Sequence, residues 1–293
     1  FDPKSDPGFH TGQYYLQDPA TMLDSKMIDF SRSKKVLDLC AAPGGKSSLI
    51  LDNLQGDGFL VANEIDGTRF NKLYDNLTKW GDDRVLFSRT KSEYLNYIPE
   101  YFDTIIIDAP CSGEGMTRRY ASKVFEVYSE RKIEEFSHLQ KSLLQNSIPA
   151  LTVGGQLVYC TCTFNRNENE EVISWLLDRY PEIKIEDVDI NPDWGFLKTK
   201  EGFFKSFFHK TNCEGFSVIK LTKTKPLSNP KINLIKENNI GYGGQKKPKH
   251  NIVKADKYPN LKNFIKFETV PKKTSLALIK DDTKIQYLHY YIL

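Results

Sequence analysis

Two side chains in this sequence are well suited to nucleophilic chemistry, Cys111 and Cys162. They sit in the loops Asp108-Ala109-Pro110-Cys111-Ser112-Gly113 and Tyr159-Cys160-Thr161-Cys162-Thr163-Phe164, and each loop follows a short apolar run. A thiolate is a competent nucleophile near neutral pH when a neighbouring charge or a helix N-terminus lowers its pKa. Two thiols and the Asp108 carboxylate at one crevice point to thiol-dependent chemistry on a nucleic-acid base. C5 of cytosine is too weak a nucleophile to take a methyl group unaided. Thiolate attack on C6 breaks the ring's conjugation and makes C5 nucleophilic. A carboxylic acid at N3, the role open to Asp108, stabilises the charge that develops. A second thiol can then assist loss of the C5 proton and expulsion of the first. Residue types alone do not say which thiol attacks. Free cysteine is also a common small core residue. That is the reading for Cys160, which strand alternation places on the opposite face from Cys162.

A second constellation suits a small anionic ligand. Asp38-Leu39-Cys40-Ala41-Ala42-Pro43-Gly44-Gly45-Lys46 lies where a strand turns into a helix. Gly44 and Gly45 let backbone N–H groups approach a ligand, and the helix N-terminus favours negative charge. The spacing is neither G-x-G-x-x-G nor a phosphate-binding P-loop. Glu64 follows 19 residues after Gly45, where an acid that grips ribose hydroxyls is expected. The pocket therefore suits an adenosine-bearing cofactor with a carboxylate, such as S-adenosylmethionine.

These residues need a sheet to position them. Strands are expected at 35–40, 59–65, 84–88, 102–107 and 156–159, with edge strands at 183–188 and 216–221. Helices are expected at 46–54, 68–80, 130–151 (ended by Gly154-Gly155) and 165–179, with a short helix ending near 28. Strands alternating with helices predict an α/β, doubly wound, mostly parallel sheet, with ligands outside the carboxyl ends of its strands. Three parts are expected: a lead-in over 1–30, a catalytic domain over 31–221 and a basic extension over 222–293. Short apolar strings at 264–270, 276–279 and 285–293 suggest that the extension is β-rich.

Bulk properties narrow the class. A hydrophobic content of 39% supports a packed core. No apolar run approaches the roughly 20 residues of a membrane span, and no signal segment opens the chain, so a cytoplasmic protein is expected. The chain begins at Phe1, which suggests a missing N-terminal piece. Five cysteines (40, 111, 160, 162 and 213) do not form a disulfide framework, and Cys160-x-Cys162 without a second pair is not a zinc site; no metal is expected. The net charge of +3 hides an asymmetry. Residues 220–293 carry 16 lysines, no arginine and five acids, a net +11, and the remainder carries −8. A basic tail on an acidic body suits a polyanion such as RNA.

Taken together, the motifs resemble the RNA cytosine-C5 methyltransferases of the Nop/Sun family, and within them the bacterial RsmF-like 16S ribosomal-RNA enzymes. The resemblance rests on Tyr15-Leu16-Gln17, the 38–46 stretch, Glu64-Ile65-Asp66 with Arg69, and Asp108 through Met116. It continues with Thr161-Cys162-Thr163, then Asn165, Glu168, Asn169 and Glu170, and ends with His209 and Glu214-Gly215-Phe216. It implies a seven-stranded methyltransferase sheet using S-adenosylmethionine, with Cys162 as nucleophile, Cys111 assisting product release and Asp108 contacting base N3. It also implies a cofactor site lined by Cys40, Ala41, Ala42, Pro43, Gly44, Gly45, Lys46, Glu64, Arg69 and Asp108. The family commonly has an acid after the third strand. Here the stretch is Ser88-Arg89-Thr90-Lys91, and Thr90 stands in. Phe208 precedes His209 where proline is frequent.

The expected activity is methyl transfer to C5 of a cytosine in structured RNA, with ribosomal RNA favoured, transfer RNA next and a monomeric enzyme. A non-catalytic RNA-binding assembly factor would not need the thiols. A DNA cytosine methyltransferase would reverse the roles of Cys111 and Cys162.

Overall fold

In the computed structural model the described residues are 3–228, 277–281 and 284–288. After two short helices, α1 (Pro7–His10) and α2 (Asp24–Met27), the chain alternates strand and helix: β1 (Lys35–Asp38), α3 (Gly45–Asn53), β2 (Phe59–Asn63), α4 (Gly67–Trp80) and β3 (Val85–Ser88). It continues with β4 (Phe102–Asp108), α5 (Thr117–Val127), α6 (Glu130–Ser147), β5 (Leu151–Thr161) and α7 (Glu170–Arg179). The strands β6 (Ile183–Ile185), β7 (Leu197–Lys198), β8 (Phe204–Ser206) and β9 (Phe216–Lys223) complete the sheet. A separate antiparallel hairpin joins β10 (Ala277–Asp281) to β11 (Lys284–Leu288).

The first five strands lie parallel in the order β3-β2-β1-β4-β5. Alternation along each strand supplies two cores. Leu37, Ile105, Ile107, Leu157 and Tyr159 meet α6 and α7 through Leu144, Ile173 and Leu176. Val36, Ile106, Val158 and Cys160 face the other way, against Ile50, Leu51, Phe70, Leu73 and Leu77 of α3 and α4. Helices on both faces make the sheet doubly wound, as the sequence predicts. α4 shows the local logic. The Asp66 side chain accepts the Arg69 N–H at 2.8 Å as N-cap, and Phe70, Leu73 and Leu77 bury one stripe.

Several boundaries differ from expectation. The sheet has nine strands rather than seven, because β7 and β8 form a short hairpin beside β9. Two- and three-residue strands carry too few side chains to show a period. β9 is not an edge strand. It pairs with β5 on one side and with β6 and β8, end to end, on the other. Helix α6 stops at Ser147, and Pro149 lies in the tight turn Ile148–Ala150. Gly154-Gly155 therefore falls inside β5, where the register against β4 shifts and Gly154 takes φ +78°, instead of ending the helix. The expected strand at 264–270 lies outside the described residues. Within the first 30 residues, Ala20, Leu23, Met27 and Ile28 are buried in the α3/α4 core.

Candidate active site

The carboxyl ends of β1, β2, β4 and β5 open at one edge of the sheet. β4 ends on Asp108 and β5 on Thr161, so the two cysteine loops leave adjacent strands side by side. Cys111 Sγ and Cys162 Sγ lie 3.0 Å apart. The contact with Cys162, followed by burial and the charges of Cys162 and Glu168, pushes the Cys111 thiol well above the usual thiol range. Cys160 is buried in the α3/α4 core, with its sulfur 3.7 Å from Asp108 Oδ1 and 3.9 Å from Asp24 Oδ2.

Buried polar groups tie the two loops together. The Ser112 N–H donates to Glu168 Oε2 at 3.0 Å, and Gln140 Nε2 donates to the same oxygen and to the Pro110 carbonyl. Glu114 spans the other side, accepting from Thr163 Oγ1 at 3.0 Å, from the Phe164 N–H at 3.2 Å and from the Tyr128 hydroxyl at 2.7 Å. Below them three backbones meet. Gly115 N–H donates to the Cys162 carbonyl at 2.9 Å, and Gly215 N–H donates to the Gly115 carbonyl at 2.8 Å. A Cβ on Gly115 would overlap the backbone of Gly215, and one on Gly215 would overlap the Phe164 ring. Gly115→Ala should therefore destabilise the chain by about 1–3 kcal/mol through overpacking and separate the thiols. The urea midpoint should fall, and any thiol-dependent activity should fall with it.

Asp108 is the third member. Its carboxylate accepts from Lys46 Nζ at 2.8 Å and stays partly open to the crevice. Lys46 is only 8% exposed. It lies 3.4 Å from Asp24 Oδ2 and its Nζ sits 5.0 Å from the centre of the Phe216 ring. Burial drives Asp24 up to about 7 against the pull of Lys46, with Asp108 and Asp38 adding like charge. Burial does the same to Asp38, also to about 7, despite the 2.7 Å hydrogen bond from Ser47.

The cofactor-side residues gather at the ends of β1 and β2. Gly44 takes φ +111°, open to glycine, and turns the chain into α3, whose N-terminus no side chain caps. A Cβ on Gly45 would come within 2.9 Å of the Tyr15 ring. Cys40, half-buried, packs its side chain against the α6/α7 core, leaving backbone toward the turn. Glu64 is buried. Its Oε1 accepts the Asp66 N–H, and its Oε2 faces Arg69 Nη1 at 3.1 Å with no hydrogen-bond donor aligned to it. Arg69 also donates to the Ala42 carbonyl at 2.9 Å, tying Glu64 to the turn. The Thr90 N–H donates to Asn63 Oδ1 at 2.8 Å, and Asn63 Nδ2 donates to the Leu39 carbonyl. Asp108, Cys111, Cys162, the 40–46 turn and Glu64 thus lie at or just beyond the carboxyl ends of β1, β2, β4 and β5.

Asp24, Asn63, Gln140 and the bridging role of Glu114 were not legible beforehand. Asp24 sits in a segment read as a lead-in, and no spacing links it to Lys46. Among the described residues no group of three His, Cys, Asp or Glu side chains is placed to hold a metal ion, and no helix is long and apolar enough to cross a membrane.

Comparison with known proteins places this edge in context. The family described as 16S rRNA methyltransferase RsmB/F matches residues 25–222. The Ribosomal RNA small subunit methyltransferase F of Cronobacter sakazakii is 36% identical over 228 residues, covering 75% of this chain and 47% of that protein. The chain thus spans about half the length of the curated relatives it matches. Among solved structures, NSun6 from Pyrococcus horikoshii, determined with SFG, aligns with a TM-score of 0.66 and 26% identity, covering 76% of this chain and 56% of that one. A methyltransferase homologue from the same organism aligns with a TM-score of 0.64 and 28% identity, covering 76% and 72%.

Proposed function

The chain belongs to the 16S rRNA methyltransferase RsmB/F family, and from that premise we propose that it transfers a methyl group from S-adenosylmethionine to C5 of a cytosine in small-subunit ribosomal RNA, with Cys162 as nucleophile. The observation that carries this reading is the Cys111–Cys162 pair, 3.0 Å apart beside the Asp108–Lys46 ion pair. The name of the Cronobacter relative supports the choice of RNA.

The residues present fit the cofactor. The start of α3, which no side chain caps, offers backbone donors that suit a carboxylate. Glu64, buried with its Oε2 ion-paired to Arg69 but not hydrogen-bonded, suits a ribose hydroxyl. Lys46, Arg69 and Thr90 brace the rim. Bound there, S-adenosylmethionine supplies an electrophilic methyl group.

The chain's own groups do the rest. The target base must leave its stack for a thiol to reach C6. Cys162 forms the S–C6 bond, and the C5=C6 electrons move toward N3, where a proton held between Lys46 and Asp108 can be delivered. C5 then takes the methyl. Cys111, 3.0 Å from Cys162, is the thiol left over once Cys162 is bound to C6. Cys111 gives its proton to solvent and takes the C5 proton; the C5–H pair re-forms the C5=C6 bond, the C6–S pair leaves with Cys162 as a thiolate, and N3 returns its proton to the Lys46–Asp108 pair.

The test incubates the chain with methyl-labelled S-adenosylmethionine and either unmodified small-subunit ribosomal RNA or transfer RNA, followed by mass spectrometry of the nucleosides. 5-Methylcytidine should appear in the ribosomal RNA and vanish with Cys162→Ser. Label confined to transfer RNA overturns the substrate, and label on another nucleoside or on no RNA overturns the chemistry.

A further inference from the structure

Five aromatic side chains surround the thiol loops, and the chemistry above uses none of them. Phe164 follows Cys162 by two residues and stacks on Phe207 with ring centres 4.8 Å apart and planes 20° apart. Phe208 lies 5.9 Å from Phe164, and His209 lies 5.7 Å from Phe207 and 6.4 Å from Phe208. Tyr128 is attached at the other end, because its hydroxyl and the Phe164 N–H both bind Glu114.

Topology brings this row to the site. β8 pairs antiparallel with β9, and β9 with β5, so β8 runs parallel to β5. Its carboxyl end, Ser206, opens at the same edge as Thr161, and Phe207 to His209 follow at once. Neither core contains Phe164, Phe207 or Phe208. Phe208 is 40% exposed and Tyr128 42%. Large rings held in fixed geometry by a carboxylate and a stacked pair, yet left open to solvent beside a reactive centre, have the form of a stacking platform.

We propose that this row is a shelf for the unpaired bases that flank the target nucleotide in a single-stranded RNA segment, with Phe208 as the ring that stacks. The inference rests on the reading of the chain as an enzyme acting on an RNA base. A cytosine that leaves its stack exposes the faces of its neighbours, and aromatic rings replace that lost stacking without regard to sequence. Lys210, exposed beside His209, adds a cation for the backbone.

The test uses the full chain and a short single-stranded oligoribonucleotide with 2-aminopurine next to a central cytosine. Stacking quenches 2-aminopurine, so wild type should bind and quench. Phe208→Ala should lose most of the quenching and weaken binding about tenfold, the scale of one lost base–aromatic stack. Phe208→Trp should restore both. Phe208→Ala with wild-type affinity and quenching overturns the shelf. So does equal loss in Phe208→Trp, which would mark a packing role, or a wild type that neither binds nor quenches, which would leave the face to a protein partner. If wild type stacks the probe but labels no RNA in the methylation assay, the proposed function fails and the shelf stands.

Discussion

On the proposed mechanism, a Cys111→Ala variant should accumulate a covalent RNA–protein adduct on denaturing gels in the presence of S-adenosylmethionine, whereas Cys162→Ala and the double variant should form none. The expectation follows from the proposed role of Cys162 as nucleophile and from the 3.0 Å contact between the two thiols. With Cys162 bound to C6, Cys111 is the neighbouring thiol left to take the C5 proton. Without Cys111 the addition and the methyl transfer proceed, but the C5 proton has no positioned base. Loss of such a base costs about 10²–10⁴-fold, which turns a transient bond into one that survives electrophoresis. The truncation itself is mild, since the loop is also held by Glu168, Gln140 and Glu114. An adduct on Cys162→Ala instead would reverse the roles, giving the order expected of a DNA cytosine methyltransferase. No adduct in any variant, with no transfer by wild type, would favour a non-catalytic RNA-binding factor.

Much of this site was legible in the sequence because its parts end strands. Short β-branched runs such as Thr104 to Ile107 can be little else, and whatever follows them falls at the ligand-binding edge of a parallel sheet. That reasoning places Asp108, Cys111, Cys162, the 38–46 turn and Glu64 together without any contact being known. It also separates Cys160 from Cys162, because a period of two puts neighbours on opposite faces. What it misses is long-range pairing that no period encodes. Asp24 reaches Lys46 only because α2 is folded onto α3 by Leu23 and Met27. β8 escaped notice because three residues show no alternation, although its position delivers Phe207 to His209 to the thiols. The glycine contact between residues 115 and 215 was visible as two motifs and illegible as one junction.

The buried charges beneath the site set the second large effect. Lys46→Met should destabilise the chain by about 3–5 kcal/mol, the cost of breaking a buried ion pair from one side, because Asp108 and Asp24 would lose the ammonium between them. The loss should be larger at pH 8 than at pH 5. Asp24 and Asp38 titrate near 7 in the folded chain, against about 4 when unfolded. Between those values the folded chain holds more protons than the unfolded one, so their contribution to stability falls as pH rises. Removing Lys46 pushes both carboxyls higher still and extends the fall upward. Asp24→Asn makes the converse case. The amide resembles the protonated acid, so the variant should match wild type near pH 4. Relative to wild type it should gain about 2–3 kcal/mol between pH 5 and pH 8, which follows from 1.36 kcal/mol per pK unit across that window. The groups facing Asp24 are Lys46 from α3, Asp108 from β4, Asp38 from β1 and Cys160 from β5, and none of the others is altered by the substitution. Thermal melts of the three proteins at pH 5 and pH 8 decide the matter. A constant difference between Asp24→Asn and wild type across that range would mean that Asp24 is ionised throughout, held by Lys46 despite its burial. The proton proposed to pass between Lys46 and Asp108 would then face two competing carboxylates throughout that pH range.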